Sequence, residues 1–149
     1  LTEPWRFFVL SEGGETRAEV ARLHKKNVFE MSHKLPDTKR RQVANDKEQE
    51  VMQAPLVVFV YSTPGKTDDV TRENYAAVCC AVQNFQLAAC DEGFATGWSS
   101  GSIISCPGLS DALGADETWD PVGALFIGVP SIQPRAQRDL SVDDFTCWL

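Results

Sequence analysis

The chain has 149 residues, 43% apolar and 23% charged, the make-up of a single globular domain over residues 1–149 with enough apolar side chains for a core. A formal charge of −7 argues against a nucleic-acid partner, because neutralising phosphates calls for Lys and Arg clustered over a whole face. No apolar run reaches the roughly 18 residues that a membrane span needs, and no charged-then-apolar leader opens the sequence, so we expect a cytoplasmic protein with no membrane partner.

Leu1-Thr2-Glu3-Pro4-Trp5 begins without an initiator Met and runs almost at once into an apolar strand, so further residues are expected upstream. Trp5 to Leu10 is aromatic and β-branched, and Ser11-Glu12-Gly13-Gly14 punctuates its end; this predicts a short buried strand. From Glu15 to Glu30, Ala18, Val20, Ala21, Leu23 and Val28 recur at helical spacing among charges, which predicts an amphipathic surface helix. A second, polar helix is predicted over Asp37 to Gln53, after the Pro36 break; with few apolar anchors it is expected to be mobile or a lid. Ala54 to Tyr61 is continuously apolar and bounded by Pro55 and Pro64-Gly65, which predicts a strand covered on both faces.

The longest predicted element is a helix from Thr71 to Glu92, capped by Thr71 or Asp69 and closed by a left-handed Gly93. Its stretch Tyr75 to Val82 is apolar all round and rich in small residues, so it must be enclosed on every side. A chain this short cannot easily surround such a helix alone, and a homodimer follows as a hypothesis. Phe94 to Ser100 is expected to be extended, Cys106 to Leu113 a short helix closed by Gly114, and Val122 to Val129 a third buried strand ended by Pro130. The tail from Ser131 to Leu149 is expected to be irregular, with Phe145 and Trp148 needing somewhere to dock.

Cysteines and histidines offer little chemistry. Cys79, Cys80, Cys90, Cys106 and Cys147 are odd in number and lack a CxxC pair, so neither a disulfide framework nor a zinc site is expected; we read them as reduced and mostly buried. His24 and His33 are too isolated for a metal site or a general base and are read as surface residues.

Taken in order, Pro4-Trp5-Arg6-Phe7, Ala54-Pro55-Leu56-Val57-Val58, the helix Ala81 to Ala89, its exit Glu92-Gly93-Phe94-Ala95-Thr96-Gly97-Trp98, and Gly128-Val129-Pro130 resemble the FMN-dependent nitroreductase family, closest to its short bacterial branch. The resemblance implies an α+β fold: a mainly antiparallel sheet flanked by helices, dimerised through long helices, with FMN at the subunit interface. In that family an Arg-Arg-Ser-like phosphate-binding segment precedes the Pro-Trp strand, and this sequence does not contain it. The family reaction moves hydride from NADH or NADPH to the flavin, and then to a small electron-poor acceptor. The protein supplies a flat slot, hydrogen-bond donors at the ring edges and a phosphate anchor rather than a side-chain nucleophile.

Carried over position by position, the resemblance places Pro4 and Trp5 beside the flavin pocket and runs the backbone of Trp98-Ser99-Ser100-Gly101 past the ring, with Ser100 and Gly101 nearest N5. Glycine at such a place allows main chain to approach without a Cβ clash. Arg135 and Arg138, after the last strand, take the position of a basic residue on the FMN phosphate, and guanidinium geometry suits that task. Ala88, Ala89, Cys90, Asp91, Glu92 and Gly93 match a segment associated with nicotinamide nucleotide binding. Two departures stand out: Glu3 replaces a common Gln, and Ser99 stands where the branch often has Arg. Lys39-Arg40-Arg41 is either a solvated helix face or a contact for the NADPH 2′-phosphate. An FMN-dependent NAD(P)H oxidoreductase is the first reading; a flavin carrier without turnover and a flavin-free dimerisation module are the alternatives.

Overall fold

A computed structural model of the chain describes residues 2–132 and 141–149. A four-stranded sheet has the order β1-β2-β4-β3, with each pairing antiparallel. Its strands are β1 (Trp5–Leu10), β2 (Leu56–Ser62), β3 (Ala95–Ser99) and β4 (Asp120–Gly128). Helices α1 (Glu15–Met31) and α2 (Asp37–Gln53) join β1 to β2, α3 (Asp68–Asp91) joins β2 to β3, and the short α4 (Leu109–Leu113) precedes β4. The α+β architecture implied by the resemblance is the architecture found. Among the described residues no helix is long and apolar enough to cross a membrane.

Alternation along the strands divides the core in two. Leu10, Val57, Phe59, Tyr61 and Ala124 point to one face and pack against Val20 and Ala21 of α1, Val51 of α2 and Leu109 of α4. Phe8 meets Tyr61 edge-on there, with ring centres 5.4 Å apart. Val58, Val60, Leu125 and Ile127 point to the other face, where Val78 and Val82 of α3 cover them. Burying each such aliphatic side chain is worth about 1.5–3 kcal/mol. β2, buried from Val57 to Ser62, is covered on both faces as its continuous apolar run predicted.

Element ends follow local chemistry and correct several expectations. Thr67 caps α3 by accepting from the Val70 amide at 3.3 Å, so neither Thr71 nor Asp69 is the cap; the Thr71 hydroxyl instead takes the Gly65 amide at 2.9 Å. Gly93 closes α3 with φ +84°, as expected of a left-handed glycine. The helix predicted from Cys106 starts only at Leu109, because Pro107 and a left-handed Gly108 (φ +83°) hold the chain in a turn before it. Among the described residues of the tail, which was expected to be irregular, Val142–Asp144 form a 3-10 turn with a reciprocal cap between Ser141 and Asp144.

Burial expectations are overturned as well. β1, expected to be buried, is so only at Leu10, with Phe8 half-buried and Trp5, Phe7 and Val9 exposed because it is an edge strand. The α2 helix is docked rather than free: Ala44 and Val51 are buried, Lys25 pairs with Glu48 at 2.7 Å, and the buried Arg17 guanidinium of α1 donates to the carbonyls of Val51 and Ala54. Of the cysteines only Cys106 is buried, Cys79 is half-buried, and Cys80, Cys90 and Cys147 are exposed, all as free thiols. His24 is buried on α1, while His33 is exposed. Along Tyr75 to Val82 this chain encloses just Val78 and Val82; Tyr75, Ala76, Ala77 and Cys80 stay open because α3 alone forms its layer.

Candidate functional site

Antiparallel pairing brings the start of β1, the end of β2 and the start of β4 to one end of the sheet, where Trp5 faces Ser62 and Ser62 faces Asp120; β3 runs toward that end and stops where Ser99 faces Ala124, halfway along β4. Pro4 and Trp5 therefore lie at one edge of the sheet and Ser99, Ser100 and Gly101 at the other. Trp5 and Ser99 are three strand spacings, roughly 14 Å, apart across the sheet and roughly 13 Å apart along it. Pro4 is buried and its carbonyl accepts from the Thr63 amide at 2.8 Å; Trp5 remains 37% exposed. A polar cleft of about 670 Å³ opens beside them, lined by Glu3, Arg6, Thr63, Lys66 and Asn74 among others.

At the opposite edge, Ser99 is half-buried while Ser100 and Gly101 are exposed. The Gly101 carbonyl accepts from the Ile104 amide at 3.2 Å, and Ile103, 1% exposed, fixes the turn in the core. Among the described hydrogen bonds the Ser100 and Gly101 amides donate to no protein acceptor. A Cβ at Gly101 would meet nothing within 4 Å, so nothing in this chain requires glycine there; a flat group lying against the turn would. Trp98 lays its indole back over β4, Nε1 donating to the Val122 carbonyl at 3.4 Å, and stays 40% exposed. Its seat is Gly123, next to a bulge at which Val60 pairs with Gly123 but Tyr61 with Pro121.

The turn is tied to α1 by residues that sequence reasoning assigned to the surface or passed over. His24 Nε2 lies 3.0 Å from the Ser102 hydroxyl, and Asn27 Nδ2 donates to the Ser102 carbonyl at 2.8 Å. Burial pushes the His24 pKa below its ordinary value and the nearby Lys47 charge adds to this, against an opposing Glu50, so the ring is neutral at pH 7. A signal for this was present: positions 20, 21, 24 and 28 form one helical stripe, and His24 sits on it between apolar residues.

Other predicted residues lie elsewhere. Ala88 to Gly93 end α3 at the opposite end of the sheet, where Ala95 pairs with Gly128. Ala88, Ala89 and Glu92 there join Pro55, Phe85 and Phe94 around an apolar hollow of about 410 Å³. One protomer thus does not bring this segment to Ser100. Arg40 is occupied by the Phe29 carbonyl at 3.0 Å and by Asp37 at 2.9 Å, whereas Lys39 and Arg41 are exposed. Arg135 and Arg138 lie outside the described residues. Cys106, buried, has its pKa pushed up to about 11 by desolvation, which makes it an inert thiol.

Residues 1–129 match the family described as Nitroreductase family. The chain belongs to the nitroreductase family. It is 30% identical over 145 residues to "Putative NAD(P)H nitroreductase YdjA" of Escherichia coli (strain K12), covering 97% of this chain and 74% of that protein. A similarly named protein of Bacillus subtilis (strain 168), YfhC, is 24% identical over 146 residues, covering 97% of this chain and 72% of that one. Among solved structures, a nitroreductase-like family protein from Bacillus cereus superposes with a TM-score of 0.77 at 24% identity, over 98% of this chain and 73% of that one. An iodotyrosine deiodinase bound to FMN and 3-iodo-L-tyrosine superposes with a TM-score of 0.69 at 15% identity, over 97% of this chain and 79% of that one. Family membership makes this nitroreductase an oxidoreductase, and its sheet and helices carry the nitroreductase fold.

Proposed function

We propose that this nitroreductase is an FMN-dependent NAD(P)H oxidoreductase, working as a homodimer, that reduces nitroaromatic, quinone or similar electron-poor small molecules by a ping-pong cycle. The observation that carries the reading is the exposed Ser100–Gly101 turn, whose two main-chain amides donate to no protein acceptor among the described hydrogen bonds. This donor set fits a flavin edge: neutral amides on a rigid turn stabilise charge that develops on a reduced ring, and an open glycine admits the ring to the backbone.

When bound, FMN supplies the two-electron chemistry, taking hydride from NADH or NADPH and giving it to the acceptor. This chain's part is to orient and shield. The Ser100 and Gly101 amides would donate to the ring edge, with Trp98 and Ser99 leading the backbone into that turn, and Pro4 and Trp5 would line the pocket from the other edge strand. Arg135 and Arg138 would hold the phosphate. A second copy completes the slot by covering the open side of α3, where Tyr75, Ala76, Cys80 and Leu87 are exposed beside Phe7 and Val9 of β1. Antiparallel pairing of α3 with its copy about a two-fold axis sets one protomer's Ala88 to Gly93 beside the start of the other's α3. That arrangement assigns this segment's nicotinamide contact to the partner's site.

Colour is the test. Protein purified with FMN is expected to be yellow, to bleach with NADH or NADPH in the absence of air, and to recover its colour when a nitroaromatic or quinone is added. Yellow protein that neither nucleotide bleaches would mark a flavin carrier; dimeric protein that takes up no FMN would mark a flavin-free module.

A further inference from the structure

Ser102 directly follows the Ser100–Gly101 turn and is held from several sides. Its carbonyl accepts from Asn27 Nδ2 at 2.8 Å, Cys106 Sγ at 3.2 Å and Ser105 Oγ at 3.3 Å, while its hydroxyl meets His24 Nε2 at 3.0 Å. Ser105 and Cys106 belong to the same turn, so their bonds shape it locally. His24 and Asn27 come from α1, 78 and 75 residues away in sequence, and fix the turn to the body of the protein. They are 3% and 8% exposed and lie one helical turn apart on the stripe that also carries Val20, Ala21 and Val28. Burying polar side chains at such positions costs stability relative to apolar ones even when they are hydrogen-bonded. A packing role alone would be served better by Leu or Met.

Resting on the flavin reading above, we propose that His24 and Asn27 are positioning residues which, acting through Ser102, lock the Ser100–Gly101 main chain in its orientation toward the flavin. Both are too deeply buried to meet a ligand in the exposed turn, so their effect passes through the backbone. His24 suits the task as a neutral ring. The Lys47 main chain lies near the ring, Nδ1 has no hydrogen-bond partner among the described residues, and the tautomer protonated at Nδ1 leaves Nε2 to accept from the Ser102 hydroxyl. Lys47 and Glu50 of α2 are the charged groups facing it. A fixed donor array needs such support, since a misplacement of about 1 Å at a reacting geometry lowers a rate by up to roughly a hundredfold.

The test uses the full chain loaded with FMN and whichever of NADH or NADPH reduces the wild type. Asn27→Ala and His24→Leu are expected to slow flavin reduction about 10- to 100-fold, to displace the visible absorption band of the bound flavin, and to leave the KM for the nucleotide within about a factor of two. His24→Gln restores a neutral acceptor and is expected to recover most of the rate. The double variant should be no slower than the slower single one, because both bonds end on Ser102. If the α1 variants do not fold, Ser102→Ala decides: it removes one hydroxyl from a half-buried turn, and a shift of band and rate in the same direction is expected. Folded variants with the wild-type band and rate would overturn the positioning role. Wild-type protein that takes up no FMN would sink the flavin reading itself, and this role with it.

Discussion

The two faces of the sheet are built differently. Toward α1, α2 and α4 the chain finishes its own core: Phe59 and Tyr61 are wholly buried, and Arg17, His24 and Asn27 are sealed in with hydrogen-bond partners. Toward α3 it does not. Val78 and Val82 are buried, yet Val9 and Leu87 are each 60% exposed and Phe7 42%. One helix about 10 Å across covers roughly two strands spaced about 4.8 Å apart, so a four-stranded sheet needs more than one helix per face. The first face holds the fold together, and the second keeps apolar side chains exposed among the described residues.

The largest effect should come from breaking the finished face. Phe59→Ala is expected to cost about 3–5 kcal/mol by opening a cavity where the surroundings cannot collapse, read as a lower urea midpoint; a loss under about 1 kcal/mol would show that this face is loosely packed. On the α3 face, Gly123→Ala drives a Cβ into the Trp98 indole. We expect a loss of about 1–3 kcal/mol from overpacking together with a red-shifted tryptophan emission, and an unchanged spectrum would contradict the seat described for Trp98.

Ala76→Glu places a charge on the open side of α3, where one protomer has room for it. Sedimentation should show self-association weakened at least about tenfold, or about 1.4 kcal/mol, with the monomer's own melting behaviour preserved. Unaltered association would move the interface elsewhere. The smallest effect is a pH dependence on the finished face. The His24 pKa is lowered from 6.5 in the fold, so below that pH the unfolded chain takes a proton that the folded chain does not. Its contribution is therefore complete above pH 6.5, is lost as pH falls from there toward the lowered value, and then levels off. Melting curves of His24→Gln should lack this decline; identical curves would mean that folding does not lower the His24 pKa.

Much of this was legible along the chain. Aromatic, β-branched and continuously apolar runs located β1 and β2, helical spacing located α1, and the Pro36 break and the caps located α2 and α3, each to within a few residues, because those signals are local. Gly93 and Gly114 announced left-handed helix ends for the same reason. Ordered short motifs were enough to reach the family and to single out Ser100 and Gly101. Competition between neighbours decided what the pattern left open: Thr67, Asp69 and Thr71 all offer a cap for α3, and only the path through Gly65 fixes Thr67 as the one used.

Burial was the property that sequence by itself could not determine. Asn27 looks like an ordinary polar position of a surface helix, and the apolar stripe around His24 does not name a partner for its ring, until Ser102 arrives from 75 and 78 residues away, its carbonyl accepting from Asn27 and its hydroxyl meeting His24. Tyr75 to Val82 looks like a core helix until the sheet beneath it proves too wide for one helix to cover. Hydrophobic periodicity records which residues favour burial, but the tertiary structure decides which of them find a surface to be buried against.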